Sequence, residues 1–443
     1  MRVVPVCAVV FLTAGVSPLF AQNPAESPVP ARLSLDEALA RAATTSHRLA
    51  ELRARESAAA AVVDQRKTAD LPTIALQAGY RRTNHVDEFG VLQPDRTFHI
   101  IYPDIPDNWH TRIDMQWPIY TGGRDDALER AADAERQASG KDVDSTRSDL
   151  RLETTRAFWA LVTATEAERV VRESVTRIEA QLGDVRARFD AGFLPPNDVL
   201  TVETRVSREK SLLIDAQNQR NSTRAELARL IGAPLDAEFE PDAALEPPAA
   251  AAIQDATAVA ARAARADRQA LALRADAANA RIDAARAGFK PSLAVVGGYD
   301  YARPNPTIFP REDEWKPSWD LGVNVSWSLW NGGRTAAEVA EARSEATAAQ
   351  ERLAEFDTVI GLEVRQRQLD LDSARAQGPP ALDAVKSAVE ARRVVQERFT
   401  AGVATNTDLL DAQQDQLEAE LQRTRALANV RLAEARLARA LGK

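Results

Sequence analysis

Four segments of the chain alternate between apolar and polar side chains with a period of two, which is typical of β-strands that have one apolar and one polar face. They lie at about residues 72–86, 108–120, 291–303 and 317–330. In the second segment, for example, Ile113 and Trp117 alternate with Arg112 and Gln116. Each segment is long enough for a tilted strand to cross a bilayer, which takes about 9 to 11 residues. The pattern therefore predicts four transmembrane strands.

Six further segments are rich in Ala, Arg, Glu and Leu, a composition that favours helices. They lie at about residues 35–68, 124–189, 198–231, 253–288, 334–399 and 408–441. The two longest would form helices roughly 100 Å in length at 1.5 Å per residue, which no single globular domain needs. Gly378, Pro379 and Pro380 fall inside the second of them. We expect a break or bulge there, because proline removes a backbone donor and crowds the preceding turn.

The two halves of the chain repeat the same order of elements. "WPIYTGGR" (117–124) matches "WSLWNGGR" (327–334), and "RFDAGFLPPNDVL" (188–200) matches "RFTAGVATNTDLL" (398–410), both 210 residues apart. Such a strict offset indicates two tandem structural repeats. The resulting parts are a first repeat at residues 22–231, a Pro- and Ala-rich linker at 232–252, and a second repeat at 253–443. Between the two strands the first repeat is longer, which indicates a longer surface loop there.

Composition and charge narrow the class of protein. Charged residues make up 27% of the chain and aromatic residues only 5%, as expected for long helices packed through small side chains. The formal net charge of −9 argues against a nucleic-acid partner, since phosphate binding needs a basic surface. All Trp and Tyr residues except Trp159 lie between Tyr80 and Tyr120 or between Tyr299 and Trp330. This places a membrane-interface aromatic belt on the predicted strands.

The N-terminus, residues 1–21, has one basic residue, an apolar run and a small residue at Ala21, which is typical of a secretory signal peptide. The alternative is an uncleaved anchor helix, but Pro5 and Pro18 interrupt the apolar run. Cys7, the one cysteine, lies inside that run rather than at its end, so we expect no lipidation. The sequence therefore predicts an exported protein that enters a membrane only as strands.

A soluble β-sandwich with helical arms is the alternative to a membrane sheet. A sandwich buries its apolar face on a second sheet, and four strands between such long helices offer no second sheet. Four strands also cannot close a barrel, because the smallest membrane barrels have eight. The sequence therefore predicts that several chains share one barrel.

These motifs resemble the TolC-like outer membrane efflux protein family of Gram-negative bacteria, over residues about 32–442. The likeness rests on the duplicated "GGR" after an aromatic strand, the duplicated "RF.AG.....D.L" and the order helix, strand, strand, helix. It implies an α+β membrane protein that forms a homotrimer, in which each chain gives four transmembrane strands to a 12-stranded β-barrel. It also implies that the helices continue this barrel as an α-helical coiled-coil barrel across the periplasm. The implied partners are a periplasmic adaptor (membrane fusion) protein, an inner-membrane pump of RND or ABC type, and outer membrane lipids.

The resemblance also assigns roles to residues. The strand-to-helix turns would be Gly122, Gly123, Gly332 and Gly333. The membrane-interface aromatics would be Trp109, Trp117, Tyr120, Trp319, Trp327 and Trp330. The adaptor-docking tips would be Gly192, Phe193, Leu194 and Asp198 in the first repeat and Gly402 and Val403 in the second. Pro195 and Pro196 depart from the usual polar tip of the family, so the type of adaptor stays open.

Asp408 and Asp411 are the expected constriction gate, because similar family members carry two such aspartates at the inner constriction. They stand three residues apart and so share one helix face. For Asp408 the alternative is a helix N-cap, since Asp198 stands at the same place in the first repeat. Asp411 corresponds to Thr201 in the first repeat, so a helix cap shared by both repeats does not explain its carboxylate. Three chains would bring six carboxylates into one cation-favouring ring.

We therefore expect the exit duct of a tripartite efflux or type I secretion system, located in the outer membrane and extending into the periplasm. A non-conducting structural coiled coil anchored by its sheet is the alternative, and the polar strand faces favour the duct. No nucleophile and base pair suggests an enzyme, and "GGR" lacks the GxxxxGK[ST] pattern of a phosphate loop. His85, His99 and His110 cluster around the first outer loop and could bind a metal ion, but they lack the acidic spacing of a metal site, which favours surface histidines. We expect neither a cofactor nor a metal, and the cargo stays open.

Overall fold

The computed structural model describes residues 30–246 and 257–443. The predicted signal peptide, with Cys7 and Ala21, and residues 247–252 of the predicted linker lie outside this part of the chain. The described residues form an α+β structure in which long helices extend from a small sheet.

The secondary-structure elements are numbered in chain order. The helices are α1 (Leu35–Thr45), α2 (His47–Lys67), α3 (Arg124–Asp190), α4 (Pro196–Leu230), α5 (Ala258–Ala264), α6 (Ala266–Arg286), α7 (Arg334–Thr400) and α8 (Asn406–Ala440). The strands are β1 (Arg32–Leu33), β2 (Thr73–Arg82), β3 (Phe89–Leu92), β4 (Phe98–Tyr102), β5 (Asp107–Tyr120), β6 (Glu240–Pro241), β7 (Ser292–Arg303) and β8 (Lys316–Ser326). Short 3-10 turns at Thr68–Asp70 and Ala287–Phe289 lead from α2 and α6 into the sheet.

Two of the predicted helices, at about residues 35–68 and 253–288, are divided in the structure. The divisions fall at Ser46 and Arg265, whose backbones are extended. Ser46 ends α1 and caps α2, because its hydroxyl accepts a hydrogen bond from the Leu49 N–H at 3.3 Å. The prediction of single helices was wrong at these points, since composition does not separate a helical serine from a capping one.

The long helices are unbroken. α3 and α7 contain 67 residues each, and α4 and α8 contain 35 each. The break or bulge predicted at Gly378, Pro379 and Pro380 was wrong, because α7 is helical through both prolines. Both proline side chains are exposed, so water can satisfy the carbonyls that lose their donors. Gly378 also lacks the Cβ that would crowd the ring of Pro379.

The main sheet is antiparallel and has the order β2-β5-β7-β8. β5 pairs with β2 and β7, and β7 pairs with β8, so that β2 and β8 are the edge strands. The register places apolar residues opposite apolar ones, as in the pairs Leu76 with Ile113 and Val295 with Val323. Each strand therefore adds to the same apolar face.

The sheet differs from the predicted strands at three places. β2 ends at Arg82 rather than near residue 86. β8 ends at Ser326 rather than near residue 330, so that Trp327 and Trp330 follow the strand. The loop between β2 and β5 contains the additional hairpin β3–β4, which accounts for the longer first half. In that hairpin the ring of Phe98 occupies the space above Gly90.

The helices pack side by side along α3 and α7. At the sheet end, α3 packs against α2 and α6, and α6 packs against α7. At the other end, α3 packs against α4 and α8, and α8 packs against α7. The apolar cores lie between these helices and include Phe158, Leu161 and Ile360. α7 is therefore an edge element at both levels, opposite α2 and α4. No helix in residues 30–246 or 257–443 has an apolar stretch that could cross a membrane.

Candidate functional site

The sheet presents an uncovered apolar face. Leu76 on β2 is 69% exposed and Val323 on β8 is 67% exposed, although both belong to the face that pairs apolar residues across all four strands. The opposite face carries polar and charged residues, including Arg112, Asp114 and Asp320. A sheet in water would bury its apolar face, and no element of the described chain covers this one.

The predicted interface aromatics lie on the strands and at their helix-side ends. Trp117 donates its indole N–H to the Asp70 carbonyl at 2.9 Å, and Trp327 donates to the Phe289 carbonyl at 3.0 Å. Each indole thus ties a strand end to the 3-10 turn that precedes the sheet, in equivalent places of the two halves. The other predicted aromatics, Trp109, Tyr120, Trp319 and Trp330, are all exposed.

The four predicted turn glycines join the sheet to the long helices. All have positive φ, with +73° at Gly122, +84° at Gly123, +68° at Gly332 and +86° at Gly333. Gly123 and Gly333 are the N-terminal caps of α3 and α7. A Cβ at Gly122 would also lie 2.9 Å from the Ala287 carbonyl oxygen. Glycine is required here because other residues disfavour this backbone region.

The two helix–helix turns have the same backbone geometry. In the first, the Gly192 N–H donates to the Phe189 carbonyl and the Phe193 N–H donates to the Arg188 carbonyl, at 2.8 and 2.9 Å. The second turn repeats these bonds through Gly402 and Val403, and both glycines have positive φ. This pattern is the Schellman motif, which satisfies the last carbonyls of a helix.

The apolar side chains at the turns differ in exposure. Phe193 is 81% exposed and Val403 is 64% exposed. Leu194 is half-buried and packs on the cluster formed by α3, α4, α7 and α8 near the turns. Phe193 and Val403 therefore present the apolar surface of the tips, and Leu194 supports it from below.

Polar contacts hold the two turns beside each other. The buried Gln181 side chain donates to the Asn406 side-chain oxygen at 2.8 Å, and Asn406 donates to the Asp198 carbonyl at 3.3 Å. Arg188 donates to the Phe399 carbonyl at 3.1 Å and stacks on the Phe399 ring. Asp198 thus contributes its backbone to the link between the hairpins.

Asp408 occupies a capping position that differs from the predicted one. The N-cap of α8 is Thr405, and Asp408 is the third helical residue of a capping box. Its carboxylate accepts from the Thr405 N–H and hydroxyl, both at 2.8 Å. These two bonds hold the pKa of Asp408 below its ordinary value, and the bond from the Thr405 backbone N–H has the larger effect. The first repeat lacks this box, because Pro195 stands at its N-cap.

Asp411 is exposed, and the structure gives it no hydrogen bond or ion pair within the described chain. Asp415 and Glu418 are also exposed, and with Asp408 and Asp411 they form an acidic stripe at helical spacing along α8. Asp415 was missed at the sequence level, although its spacing of four from Asp411 was visible. The matching positions in α4, 210 residues earlier, are Arg205 and Arg208, so the stripe belongs to the second repeat alone.

The histidines His85, His99 and His110 have separate surroundings. His85 lies 2.6 Å from Asp104 at the base of the β2–β5 loop, and the ring of His110 fills the space above Gly79. His99 lies in β4. Within the described ranges, no group of three metal-ligand side chains is arranged to hold a metal ion.

Comparison with known proteins gives consistent matches over most of the chain. The family model described as outer membrane efflux protein matches residues 38–233 and 257–443. Outer membrane protein TolC of Vibrio cholerae serotype O1 is 24% identical over 400 residues, which cover 89% of this chain and 87% of that protein. Protein CyaE of Bordetella pertussis is 27% identical over 430 residues, covering 89% and 83%. The solved outer-membrane channel OprN superposes with a TM-score of 0.77 at 19% identity, covering 92% and 89%, and supports the fold alone.

Proposed function

Because the chain belongs to the outer membrane efflux protein family, we propose that it is the outer-membrane exit duct of a tripartite efflux or type I secretion system. Members of this family are channel proteins of the Gram-negative outer membrane, and the resemblance drawn from the repeated motifs is confirmed. In the proposed assembly, cargo passes from an inner-membrane pump of RND or ABC type through a periplasmic adaptor into the duct.

The sheet supports a shared barrel. β2 and β8 are open edges, and an open edge exposes unpaired backbone groups that cannot remain unsatisfied in lipid. Since all neighbouring strands are antiparallel, β8 of one copy can pair with β2 of the next in the same sense. Three copies would close a 12-stranded barrel with its apolar face to the lipid and its polar face to the lumen.

The helices support a second barrel that continues the first. Exposed apolar side chains lie on α7, where Leu362 is 60% exposed and Leu369 is 51% exposed. They point away from the core that contains Ile360 and Val364. Because α7 is an edge helix, a neighbouring copy can cover these side chains with its α2 or α4. The long helices would then form a coiled-coil barrel across the periplasm.

The turns support adaptor docking at the tips. Phe193 and Val403 are exposed apolar residues on two turns with the same backbone geometry, and such residues are typical of protein interaction surfaces. The cross-hairpin contacts of Gln181, Asn406 and Arg188 hold both turns in one arrangement. The acidic stripe of α8, with Asp408 and Asp411, would form the constriction near these tips.

The alternative function is a non-conducting, envelope-spanning structural protein. It predicts that the inner face of the strands is filled by apolar packing. The polar face carries Arg112 and Asp300 in one row of the register and Asp114 and Asp320 in the next row on that face, which favours a water-filled lumen.

The single observation that carries the proposal is the uncovered apolar face of the sheet, backed by a face that carries charged residues such as Arg112, Asp300 and Asp320. Purified protein should form open or voltage-openable pores in planar bilayers, with a conductance that grows with salt concentration. Absence of any conductance, together with membrane insertion shown by protease protection, would favour the structural alternative.

A further inference from the structure

A cluster of charged side chains on the polar face of the sheet is not explained by the motifs above. Arg112 on β5 is surrounded by Asp114 on the same strand, Asp300 on β7 and Asp320 on β8. Its Nε donates to Asp114 at 2.6 Å, and its Nη2 donates to Asp320 at 2.9 Å. Its Nη1 lies 3.6 Å from Asp300 Oδ2. Three carboxylates thus share one guanidinium.

A glycine on β7 leaves space for this guanidinium. Gly298 lies opposite Asp114 and Asp320 in the register, and any Cβ at position 298 would collide with the Arg112 guanidinium. The glycine therefore leaves a shallow cradle between the three carboxylates. A guanidinium held in this way shows directly which chemistry the cradle accepts, namely a cationic nitrogen group with N–H donors.

The cluster has surplus acceptors and surplus charge. Asp300 is 9% exposed, and its Oδ1 is buried with no hydrogen-bond partner, while its other oxygen faces Arg112. A buried carboxylate oxygen without a partner is costly unless a donor reaches it. The three carboxylates and the one guanidinium together also carry two net negative charges per chain. Asp320, with 58% of its side chain exposed, offers an entry to the cradle from the lumen.

We propose that Asp114, Asp300 and Asp320 form a binding site for ammonium or guanidinium groups of cargo in the barrel lumen, with Arg112 as the resident occupant that cargo displaces. This inference rests on the proposed function, because it requires the polar face to line a lumen. A directly coordinated metal ion fits less well, since no group of three metal ligands is arranged for one within the described chain. The site would be distinct from the acidic stripe at the tip.

The test uses spermidine as the probe and the full-length protein. Single-channel recordings are made in the Asp408→Asn, Asp411→Asn background, so that the tip carboxylates do not contribute. Spermidine added on the outer-loop side should block the current. Asp320→Asn should weaken this block by about fivefold, which is the upper range for one solvent-exposed ion pair. Asp300→Asn, which removes the buried carboxylate of the cluster, should weaken it at least as much. Asp313→Asn is the matched control, because it removes one outer carboxylate that pairs with Arg303 instead.

Each outcome decides the proposal. Block that falls in both cluster variants and is unchanged in Asp313→Asn supports the site, and Asp320→Asn alone suffices if Asp300→Asn does not fold. Block that is equal in all variants overturns it, as does block that falls equally in Asp313→Asn. If the protein does not conduct, the duct proposal fails. Calorimetric titration of spermidine into the same detergent-purified variants then decides the binding site separately.

Discussion

At the scale of single residues, Asp408 and Asp411 have different environments although their spacing suggested one joint role. Asp408 is held by Thr405 in a capping box, whereas Asp411 stands exposed on the next turn. Capping explains Asp408 in part, since a carboxylate near a helix N-terminus is stabilised by the free N–H groups. It explains nothing about Asp411. The charge of Asp411 is therefore the stronger candidate for the constriction.

We expect Asp411→Asn to reduce cation selectivity in single-channel recordings at low salt, with little change in stability. The physical reason is that an exposed carboxylate acts on permeating ions mainly through its charge, which salt screens. Asp408→Asn with Asp411→Asn should reduce selectivity further. Asp198→Asn is the control, because it makes the same chemical change in the turn of the other hairpin. Unchanged selectivity in the double variant would leave both residues without a role in the constriction.

The capping box should also make the start of α8 sensitive to acid. The pKa of Asp408 is lowered in the folded chain, so its stabilising contribution is fully present above the ordinary carboxyl pKa. That contribution is lost as the pH falls through the lowered pKa. Hydrogen exchange, corrected for intrinsic rates, should show stable protection of the first turn of α8 between about pH 7 and pH 5 and faster opening at about pH 3. Thr405→Ala should remove this difference, and a response equal to that of the parent chain would contradict the assignment.

At the scale of elements, the local patterns predicted the strands and the long helices, and tertiary contacts decided the rest. The alternation around Ile113 and Val323 is visible in a short window, so the faces of the sheet could be assigned from sequence. The division at Arg265 could not, because it depends on the buried contacts of this side chain with Asp267 and Glu363. Likewise, the continuity of α7 through Pro379 depends on an exposed helix side, which sequence does not reveal.

The orientation of the sheet predicts different tolerances at neighbouring positions. Val323 lies on the exposed apolar face and Asn324 on the polar face. Val323→Arg should cost about 2 to 4 kcal/mol if the residue lies near the bilayer centre, because a charge would face lipid. Asn324→Arg should be tolerated, because its side chain would face the proposed lumen. Unfolding of the two variants in detergent–lipid mixtures compares them directly, and equal losses would reverse or refute the assigned faces.

Substitutions at the two helix–helix turns should impair adaptor docking without impairing folding. Phe193→Asp and Val403→Asp place charges on exposed turns, so the apolar contact with an adaptor should be lost while the fold is retained. Cross-linking to the adaptor and export should both fail in the double variant. Leu235→Asp is the control, because Leu235 is an exposed apolar residue of the loop between α4 and β6, away from the turns and from the proposed helix interfaces. Intact export in the turn variant would place docking elsewhere.

At the scale of the whole molecule, a single chain has open edges both in its sheet and in its helical body. The sheet leaves β2 and β8 open, and the helical body leaves Leu362 and Leu369 of α7 exposed. A single cause accounts for both features if identical chains meet edge to edge around an axis. The cradle of Arg112 and the stripe of Asp411 would then each occur three times around one lumen.

The edge of α7 gives the sharpest test of this assembly. Leu362→Asp with Leu369→Asp should prevent trimer formation, because two charges would be buried between neighbouring copies without partners. The single chain should keep its helices, since both leucines point away from its own core. Leu362→Met with Leu369→Met keeps the apolar character and approximate volume, and so should preserve the trimer. Native mass spectrometry of detergent-purified protein would show three copies for the parent chain and the methionine variant, and single copies for the aspartate variant. A trimer that survives both aspartates would exclude this face of α7 from the interface, and a parent chain that is monomeric would refute the shared barrel itself.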